Sequence, residues 1–128
     1  MLAPEPLTGV RVVAEPAAID ALVIAAGSTL VRIAPDDAFV IGAAELTVSD
    51  PHAIVERETT FAGVWVDRSL VSDWLARTTE WHLPHDDGLS QGMAAALPIK
   101  VLTTGGRALV MVPVSFAHEL ADRLGDPR

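Results

Sequence analysis

The densest group of side chains that could bind a metal or move a proton lies between His82 and Asp87. These six residues hold four potential ligands, His82, His85, Asp86 and Asp87, and imidazole with carboxylate would suit zinc or manganese. Pro84 separates the two histidines, so they are not on a helix that could fix their geometry. A solvated loop is therefore favoured over a metal site. A metal-dependent enzyme built on these residues is kept as one of three hypotheses about function; the other two depend on a family resemblance described below.

Two pairs of adjacent aspartates, Asp36 with Asp37 and Asp86 with Asp87, are the next candidates for catalysis. Glycosidases and aspartic proteases need two carboxylates that face each other across a substrate. Neighbouring residues in a turn do not provide this arrangement. Because aspartate side chains bond to nearby backbone groups in turns, both pairs are interpreted as turn residues.

The serines and the last histidine have simpler explanations than catalysis. Ser69, Ser90 and Ser115 lack the Gly-x-Ser-x-Gly context of a hydrolase nucleophile. Ser115 is predicted to be a helix N-cap, where its hydroxyl accepts a backbone N–H. His118 lies between core positions of the same helix and is expected to be packed or half-exposed rather than a general base.

Two glycine-containing segments could cradle a phosphate, namely residues 88–92 and the pair Gly105-Gly106. The first has no following Lys-Ser/Thr and no preceding predicted strand, while the second lies in a predicted hairpin. Neither matches the Walker or dinucleotide-binding pattern, so both are weak signals.

Lys100 is the single lysine of the chain and lies in an otherwise apolar predicted strand. Lysine commonly buries its aliphatic stem and keeps its ammonium in water, so we expect Lys100 at a sheet edge. An ion pair with a partner subunit is the alternative interpretation.

Length and composition predict one globular domain over residues 1–128. A chain of 128 residues buries roughly two thirds of its unfolded surface on folding. With 50% hydrophobic and 20% charged residues, it is too apolar for a disordered chain and should have an extensive core or a hidden interface. It has no cysteine, which excludes disulfides, thiolate metal sites and a cysteine nucleophile.

Net charge and hydropathy limit the classes of partner and the cellular location that we expect. A net charge of −8 argues against nucleic acid and against an acidic membrane surface, since both need clustered Lys and Arg. The amino terminus lacks the basic region and apolar core of a signal peptide. No apolar run reaches the roughly 18 residues needed to span a bilayer, so a cytoplasmic location is expected.

The carboxy-terminal part has the clearest secondary-structure signals. Two apolar runs, residues 97–102 and 108–112, flank a glycine pair, which predicts a β-hairpin. Apolar residues at every fourth position then predict an amphipathic helix that begins near Ser115. Residues beyond Gly125 are expected to fray. The helix stripe consists of Phe116, Leu120 and Leu124.

The amino-terminal part predicts a strand over residues 7–13 and a second hairpin over residues 30–41, whose turn contains proline and aspartate. Between them, residues 17–26 predict a helix, with a strand as the competing assignment. Pro16 suits its first turn, and Gly27 suits its C-cap.

The middle of the chain contains a polar segment, residues 45–51, which is the predicted joint between two halves. Residues 53–57 and 60–66 are predicted to be extended. Residues 60–66 are apolar on both faces, as in a strand that is covered on both sides of its sheet or by a partner protein.

Asp67 is predicted to cap the next helix, and residues 80–91 are predicted to be a loop. The helix has a core-facing stripe of Leu70, Val71, Trp74, Leu75 and Thr78, with Arg68, Asp73 and Arg77 facing out.

The order strand, helix, strand, strand therefore occurs twice, around residues 7–42 and 60–112. Two such repeats predict an α+β fold of ferredoxin-like β-α-β-β units. Mixed or antiparallel sheets would be packed with two or three helices.

Four stretches of the chain carry a resemblance to a known family. They are PIKVL at 98–102, VPVSFA at 112–117, IAPDDAFVI at 33–41 and the strand-and-helix segment at 53–81. Together they resemble the gamma subunit of heterotetrameric sarcosine oxidase over about residues 28–124. Residues 33–41 are similar to its Gly-Pro-Asp-Glu-aromatic hairpin, and Leu83-Pro84 falls where its Leu-His-Pro turn is common.

The chain also departs from that family. Ala34 and Ala38 stand where glycine and an aromatic residue are usual, and residues 56–58 replace an Asp-x-Ser element. The amino-terminal region is shorter as well. Because none of the shared motifs is catalytic, the resemblance bears on the fold more than on the function.

The resemblance implies the fold of the folate-binding aminomethyltransferase (T-protein) superfamily. It also implies a noncatalytic accessory subunit that packs on the larger subunits of a flavoenzyme oxidising N-methyl amino acids in one-carbon metabolism. In that family FAD, FMN, NAD and tetrahydrofolate are held by other subunits. The resemblance therefore assigns no catalytic or metal-binding residue to this chain and leaves cofactor-binding residues unknown.

A free-standing folate or small-molecule binding module, acting alone or as a homodimer, is the alternative function. It would need an apolar pocket with a carboxylate partner for a pterin. The related folate-dependent iron–sulfur assembly protein carries a cysteine-containing signature, which a chain without cysteine lacks.

Overall fold

The computed structural model describes residues 3–78 and 81–125 and has an α+β fold with seven strands in antiparallel pairs. The predicted α+β class with antiparallel pairing is thereby confirmed. The strands are β1 (Glu5–Val13), β2 (Thr29–Ala34), β3 (Asp37–Ile41), β4 (Ile54–Asp67), β5 (Gly88–Ala94), β6 (Leu97–Thr104) and β7 (Arg107–Pro113). The helices are α1 (Pro16–Asp20), α2 (Arg68–Thr78) and α3 (Ala117–Leu124), with a 3-10 helix at Val114–Phe116. The strand order is β2-β3-β1 for the first three strands and β4-β7-β6-β5 for the last four.

The chain divides into two compact units. The N-terminal unit is Leu7–Thr60, and the C-terminal unit is Met1–Pro6 with Phe61–Arg128. The boundary after Thr60 falls inside β4, because the two extended segments predicted over 53–66 form one continuous strand. The predicted joint at residues 45–51 was therefore wrong, since that segment lies within the N-terminal unit.

In the N-terminal unit, β3 pairs with both β1 and β2 in antiparallel fashion. The predicted first strand and the predicted hairpin over residues 30–41 are confirmed, and Pro35 and Asp36 form the connection. One face of these strands packs against α1. The buried cluster on that face is Val10, Val12, Ala14, Ala18, Ile19 and Ala38.

Helix α1 is shorter than predicted. It begins at Pro16, as expected, but ends at Asp20 with Ala21 as its C-cap. Val23 and Ile24 follow, and β-branched side chains lose rotamer freedom in a helix, which disfavours its extension. Gly27, the predicted C-cap, instead has a φ of +87° in the turn before β2.

In the C-terminal unit, β7 lies between β4 and β6, and β5 pairs with β6 at the sheet edge. The predicted hairpin is confirmed, with Gly105 at a φ of +60° in its turn. Helices α2 and α3 pack on one face of these strands. The buried cluster there is Val66, Val71, Trp74, Leu75, Ala94, Leu97, Ile99, Val101, Ala108, Val110, Val112, Leu120 and Leu124.

The predicted amphipathic helix after β4 is confirmed as α2, but two details were wrong. Thr78 is exposed, and its hydroxyl donates to the Trp74 carbonyl at 2.8 Å. Asp67, the predicted cap, is the last residue of β4 and directly precedes α2, and its carboxylate pairs with Arg107 at 2.9 Å. Arg68 does not face solvent, since its side chain is only 20% exposed.

Helix α3 carries the predicted stripe, with Leu120 and Leu124 buried and Phe116 packed against the core. Ser115 is not its N-cap. It lies inside the 3-10 helix, and Phe116 occupies the N-cap position without a side-chain cap. The predicted fraying concerns residues 126–128, which lie outside the described residues.

Strand β5 was missed, because residues 80–91 were predicted to be a loop. The predicted order of strand, helix, strand, strand was therefore wrong for the second repeat, which has a third strand after its helix. In both units the last strand nevertheless pairs with the first and with the preceding strand. No helix in the described ranges is long and apolar enough to cross a membrane.

Candidate functional site

The sheet of the C-terminal unit has a second face, opposite α2 and α3, which we call the distal face. Paired residues in antiparallel strands share a face, and side chains alternate along each strand. The strand registers therefore place one set of side chains together on the distal face. The set is Phe61 and Trp65 from β4, Leu109, Met111 and Pro113 from β7, Pro98, Lys100 and Leu102 from β6, and Leu89, Gln91 and Met93 from β5.

Part of the distal face is hollowed into a cleft of about 300 Å³, which we call the Lys100 cleft. In the sheet, Lys100 pairs with Met111 on one side and Gln91 on the other, while Phe61 pairs with Pro113. Four strands thus contribute to one small depression. Its lining is Phe61, Gln91, Gly92, Met93, Pro98, Ile99, Lys100, Met111, Val112 and Pro113.

The polar part of this cleft is the side-chain pair of Lys100 and Gln91. The Lys100 ammonium donates a hydrogen bond of 2.6 Å to Oε1 of Gln91 and lies 5.9 Å from the centroid of the Phe61 ring. A cation at this distance from an aromatic face is attracted by the ring. The cleft therefore combines a positive charge with mainly apolar walls.

The sheet-edge position predicted for Lys100 was wrong. Strand β6 lies between β7 and β5, so Lys100 is in the interior of the sheet. Its half-buried side chain agrees with the predicted burial of the stem. The error arose from the missed strand, because β6 would be an edge if β5 did not exist.

A second cavity, of about 600 Å³, lies beside the start of α2. Ser69, Ser72 and His85 line it together with Asp67 and Asp73. In the part of the chain that the structure describes, no hydrogen bond joins the His85 ring to either serine. A nucleophile needs its base within hydrogen-bond reach, so the described residues of this cavity include no serine that is already paired with a base.

The Arg68 side chain fixes the loop that borders this second cavity through several hydrogen bonds. Its guanidinium donates to the carbonyls of Pro84 and His85 at 2.8 Å each, and to that of Gly105 at 3.0 Å. It also pairs with the Asp87 carboxylate at 2.9 Å. Arg68 is therefore a structural residue that holds the loop against the turn of the β6–β7 hairpin.

The histidine- and aspartate-rich segment forms the predicted loop up to Asp87. Among the described residues, no group of three or more His, Cys, Asp or Glu side chains comes together to hold a metal. The Asp87 carboxylate accepts hydrogen bonds of 3.1 Å from the Gly105 backbone N–H in addition to its pair with Arg68. Asp87 thus belongs to the same structural contact.

Asp36 and Asp37, the other pair of adjacent aspartates, have different roles in the structure. Asp36 is exposed in the turn between β2 and β3, as predicted. Asp37 instead forms a two-pronged ion pair with Arg11, at 2.6 and 2.7 Å. Arg11 also donates to Glu58 at 2.7 Å, and Thr60 donates to the same Glu58 carboxylate through its hydroxyl at 2.8 Å.

Sequence reasoning missed this ion network, in which Arg11 and Glu58 are separated by 47 positions. Burial raises the pKa of Glu58, but the hydrogen bonds from Thr60 and Arg11 outweigh it, so its pKa lies below the ordinary value. The hydrogen bond to Asp37, followed by that to Glu58, raises the pKa of Arg11 against the effect of burial. Because one arginine pairs with both carboxylates, this cluster is a structural element of the N-terminal unit.

The remaining candidate residues are a histidine, two glycine-containing segments and two serines. His118 is exposed, with its ring 3.4 Å from Asp122 one turn along α3, so the expectation of a packed or half-exposed histidine was wrong. Residues 88–92 form part of edge strand β5, and Gly105-Gly106 form a hairpin turn. Ser90 is a half-buried residue of β5, and Ser69 lines the second cavity.

We expect Arg68→Met to lower the free energy of unfolding by about 1–3 kcal/mol, because hydrogen bonds to charged groups contribute on this scale and several are lost together. Hydrogen exchange should accelerate at the Gly105 amide, whose partner Asp87 would lose its ion pair. Urea unfolding and hydrogen-exchange mass spectrometry measure both effects. Arg57→Met is the matched control, since Arg57 is an exposed arginine of β4. Equal behaviour of the two variants would contradict the role assigned to Arg68.

No protein-family model matches the chain, and no curated protein matches it. Function is therefore inferred from the distal face, the Lys100 cleft and the sequence resemblance.

Proposed function

We propose that this chain is a noncatalytic accessory subunit that binds the larger subunits of a flavoenzyme of the sarcosine oxidase type. The observation that carries the proposal is the exposure of two large apolar side chains, Trp65 and Met93, at the rim of the distal face, whose central residues Leu109 and Met111 are fully buried. Trp65 is 39% exposed and Met93 is 58% exposed. Such a complex would oxidise N-methyl amino acids in the cytoplasm.

The chemistry of the distal face fits a protein partner. Interface cores are enriched in aromatic residues and methionine and depleted in charged residues. Lys100 is the one charged residue in the set that defines this face, whereas the whole chain has a net charge of −8. Trp65 and Met93 would then be anchors that lose their remaining contact with water on binding.

The sequence resemblance supplies the identity of the proposed partner. In this proposal FAD, FMN, NAD and tetrahydrofolate are held by the partner subunits, and the chain contributes surface rather than catalytic groups. The repeated pairing of the two β-α-β-β units supports a further proposal about the fold. Each unit would be a ferredoxin-like half of a fold like that of the folate-binding aminomethyltransferases.

Native mass spectrometry of the tagged chain, purified from its own host at low salt, tests the proposal. We expect a stoichiometric complex with larger chains that carry flavin. Recovery of the chain alone, or as a homodimer with nothing bound, would overturn the accessory-subunit function.

A double variant, Trp65→Ser with Met93→Ser, tests whether the distal face is the surface that binds. Loss of a tryptophan anchor costs about 2 kcal/mol or more, which corresponds to a loss of affinity of at least about thirtyfold. Val114→Ser is the control, because Val114 is 45% exposed but lies in the 3-10 helix, outside the sheet. A complex that survives the double variant and is lost with the control would assign the interface elsewhere.

A free-standing small-molecule binding module is the second candidate, and the Lys100 cleft favours it. Ligand sites are mostly apolar concave surfaces with a few polar groups, with volumes of roughly 300–1,000 Å³. The cleft has this character at the small end of the range, at about 300 Å³.

A further inference from the structure

We propose that the start of β4, residues 54–60, binds an extended segment of a partner protein as an added antiparallel strand, with a basic residue opposite Glu56 and an acidic residue opposite Arg57. We call residues 54–60 the β4 overhang, and they belong to the N-terminal unit. None of them is part of the distal face. The proposal therefore goes beyond the accessory-subunit function and does not depend on it.

The β4 overhang lacks a paired strand on one side. Strand β4 begins at Ile54, but its pairing with β7 begins only at Phe61. In the part of the chain that the structure describes, residues 54–60 thus have no strand on the side where β7 pairs with the rest of β4. In antiparallel pairing, alternate residues direct both N–H and C=O to the same side. Such backbone groups are a template for an added strand.

The side chains of the overhang are open to solvent on both faces. The four consecutive residues 54–57 are all exposed, and successive side chains of a strand point to opposite faces. Two of the four are large and apolar, since Ile54 is 55% exposed and Val55 is 43% exposed. An added strand would bring side chains of its own against them on both faces.

The charges of the overhang argue against a second copy of this chain as the added strand. Opposite residues in a two-fold symmetric antiparallel pair share a face, so the symmetry axis passes between one residue and its own copy. Registers centred on Glu56, Arg57 or Glu58 place two like charges directly opposite each other. Such pairs are destabilising, so a strand of different sequence is favoured.

The same charges define the chemistry of the partner. Among the described residues, neither Glu56 nor Arg57 has a hydrogen bond or an ion pair through its side chain. Glu56 and Glu45 both line a hollow of about 350 Å³ beside the overhang, together with Leu46 and Val55. A lysine suits two carboxylates and apolar walls, because its stem is apolar and its head is charged. An acidic residue opposite Arg57 completes two opposite-charge pairs.

The test compares two acetylated and amidated peptides of identical composition. The sequence Thr-Thr-Val-Glu-Lys-Val-Ile places its glutamate opposite Arg57 and its lysine opposite Glu56 when it lies antiparallel to residues 60–54. The sequence Thr-Thr-Val-Lys-Glu-Val-Ile exchanges the two charges. We would titrate each peptide into the full ¹⁵N-labelled chain and follow amide hydrogen exchange by NMR. We expect the first peptide to slow exchange saturably at alternate amides of residues 54–60, and the second to bind at least about threefold more weakly.

A charge-reversed chain, Glu56→Lys with Arg57→Glu, should prefer the second peptide. Exchanging the exposed pair elsewhere, Asp67→Lys with Arg107→Glu, is the matched control and should leave the preference of the wild type unchanged. The wild-type comparison of the two peptides is decisive even if the reversed chain does not fold. Unchanged exchange at residues 54–60 with either peptide, or equal affinity for both, would overturn the proposal. Slower exchange there on raising the chain concentration without peptide would assign the overhang to a second copy and overturn it as well.

Discussion

Replacing Gly9 by alanine should destabilise the N-terminal unit by about 3 kcal/mol or more, the largest effect we expect for a single methyl group in this chain. A Cβ at position 9 would lie 2.0 Å from the carbonyl oxygen of Val40 and 2.9 Å from Cα of Ile41. Both contacts are with backbone, so no side-chain rotation can relieve them. The β1–β3 ladder, in which Gly9 pairs with Ile41, would have to separate or shift.

Gly106→Ala is the matched control, since its Cβ would have no neighbour within 4 Å. A glycine-to-alanine change that fits its site stabilises by about 0.4–1 kcal/mol through the unfolded chain. Urea unfolding followed by circular dichroism measures both variants. Tryptophan fluorescence adds a reporter of the C-terminal unit, because Trp65, Trp74 and Trp81 all lie after residue 60. A Gly9→Ala protein as stable as the wild type would contradict the close approach of β1 and β3.

The elements predicted correctly are those whose signals are local. The β6–β7 hairpin follows from alternating apolar residues around a glycine pair, and Leu97, Ile99 and Val101 are buried as that alternation requires. Helix α2 follows from its amphipathic spacing. In each case neighbours within one turn or one hairpin determine the structure, so the sequence window contains the information.

Strand β5 shows what a local window misses. It contains Gly88 and Gly92 and no β-branched residue, and glycine is depleted in strands. Tertiary contacts stabilise it instead. The Trp81 indole donates to the Met93 carbonyl at 2.9 Å, and its ring would lie 3.1 Å from a Cβ at position 92, so a glycine there lets the ring approach.

The Lys100 cleft was beyond prediction for the same reason. Its lining comes from four strands, and recognising it requires both the missed strand β5 and the register of β7 against β4. The presence of one lysine in an apolar strand was a real signal. Its position relative to Gln91 and Phe61 depends on pairing that no single segment encodes.

The ion network of the N-terminal unit leads to the second large effect. Arg11→Met should lower the free energy of unfolding by about 1–3 kcal/mol at pH 7, below the 3–5 kcal/mol typical of fully buried pairs, because the network is partly exposed. The side chains of Arg11, Asp37 and Glu58 are 29%, 20% and 11% exposed. The loss arises because two carboxylates keep their burial but lose their shared cation.

The same variant should have a distinct pH dependence, because of Glu58. Burial raises its pKa, and the hydrogen bonds from Thr60 and Arg11 lower it further than burial raises it. A carboxylate with a lowered folded-state pKa stabilises the protein above its unfolded pKa of about 4.3, and this stabilisation is lost as pH falls through the folded pKa. Without Arg11 the pKa of Glu58 should rise, so Arg11→Met has less of this stabilisation to lose in acid.

The difference in unfolding free energy between wild type and Arg11→Met should therefore be full at pH 7 and narrow below about pH 4. Urea unfolding at pH 7 and in acid measures it. Arg107→Met is the control, because its pair with Asp67 is 54% and 73% exposed and exposed pairs contribute about 0–1 kcal/mol. A loss for Arg11→Met that stays constant between the two pH values would show that Glu58 does not depend on Arg11. The network would then stabilise the unit through Asp37 and the packing of the arginine stem.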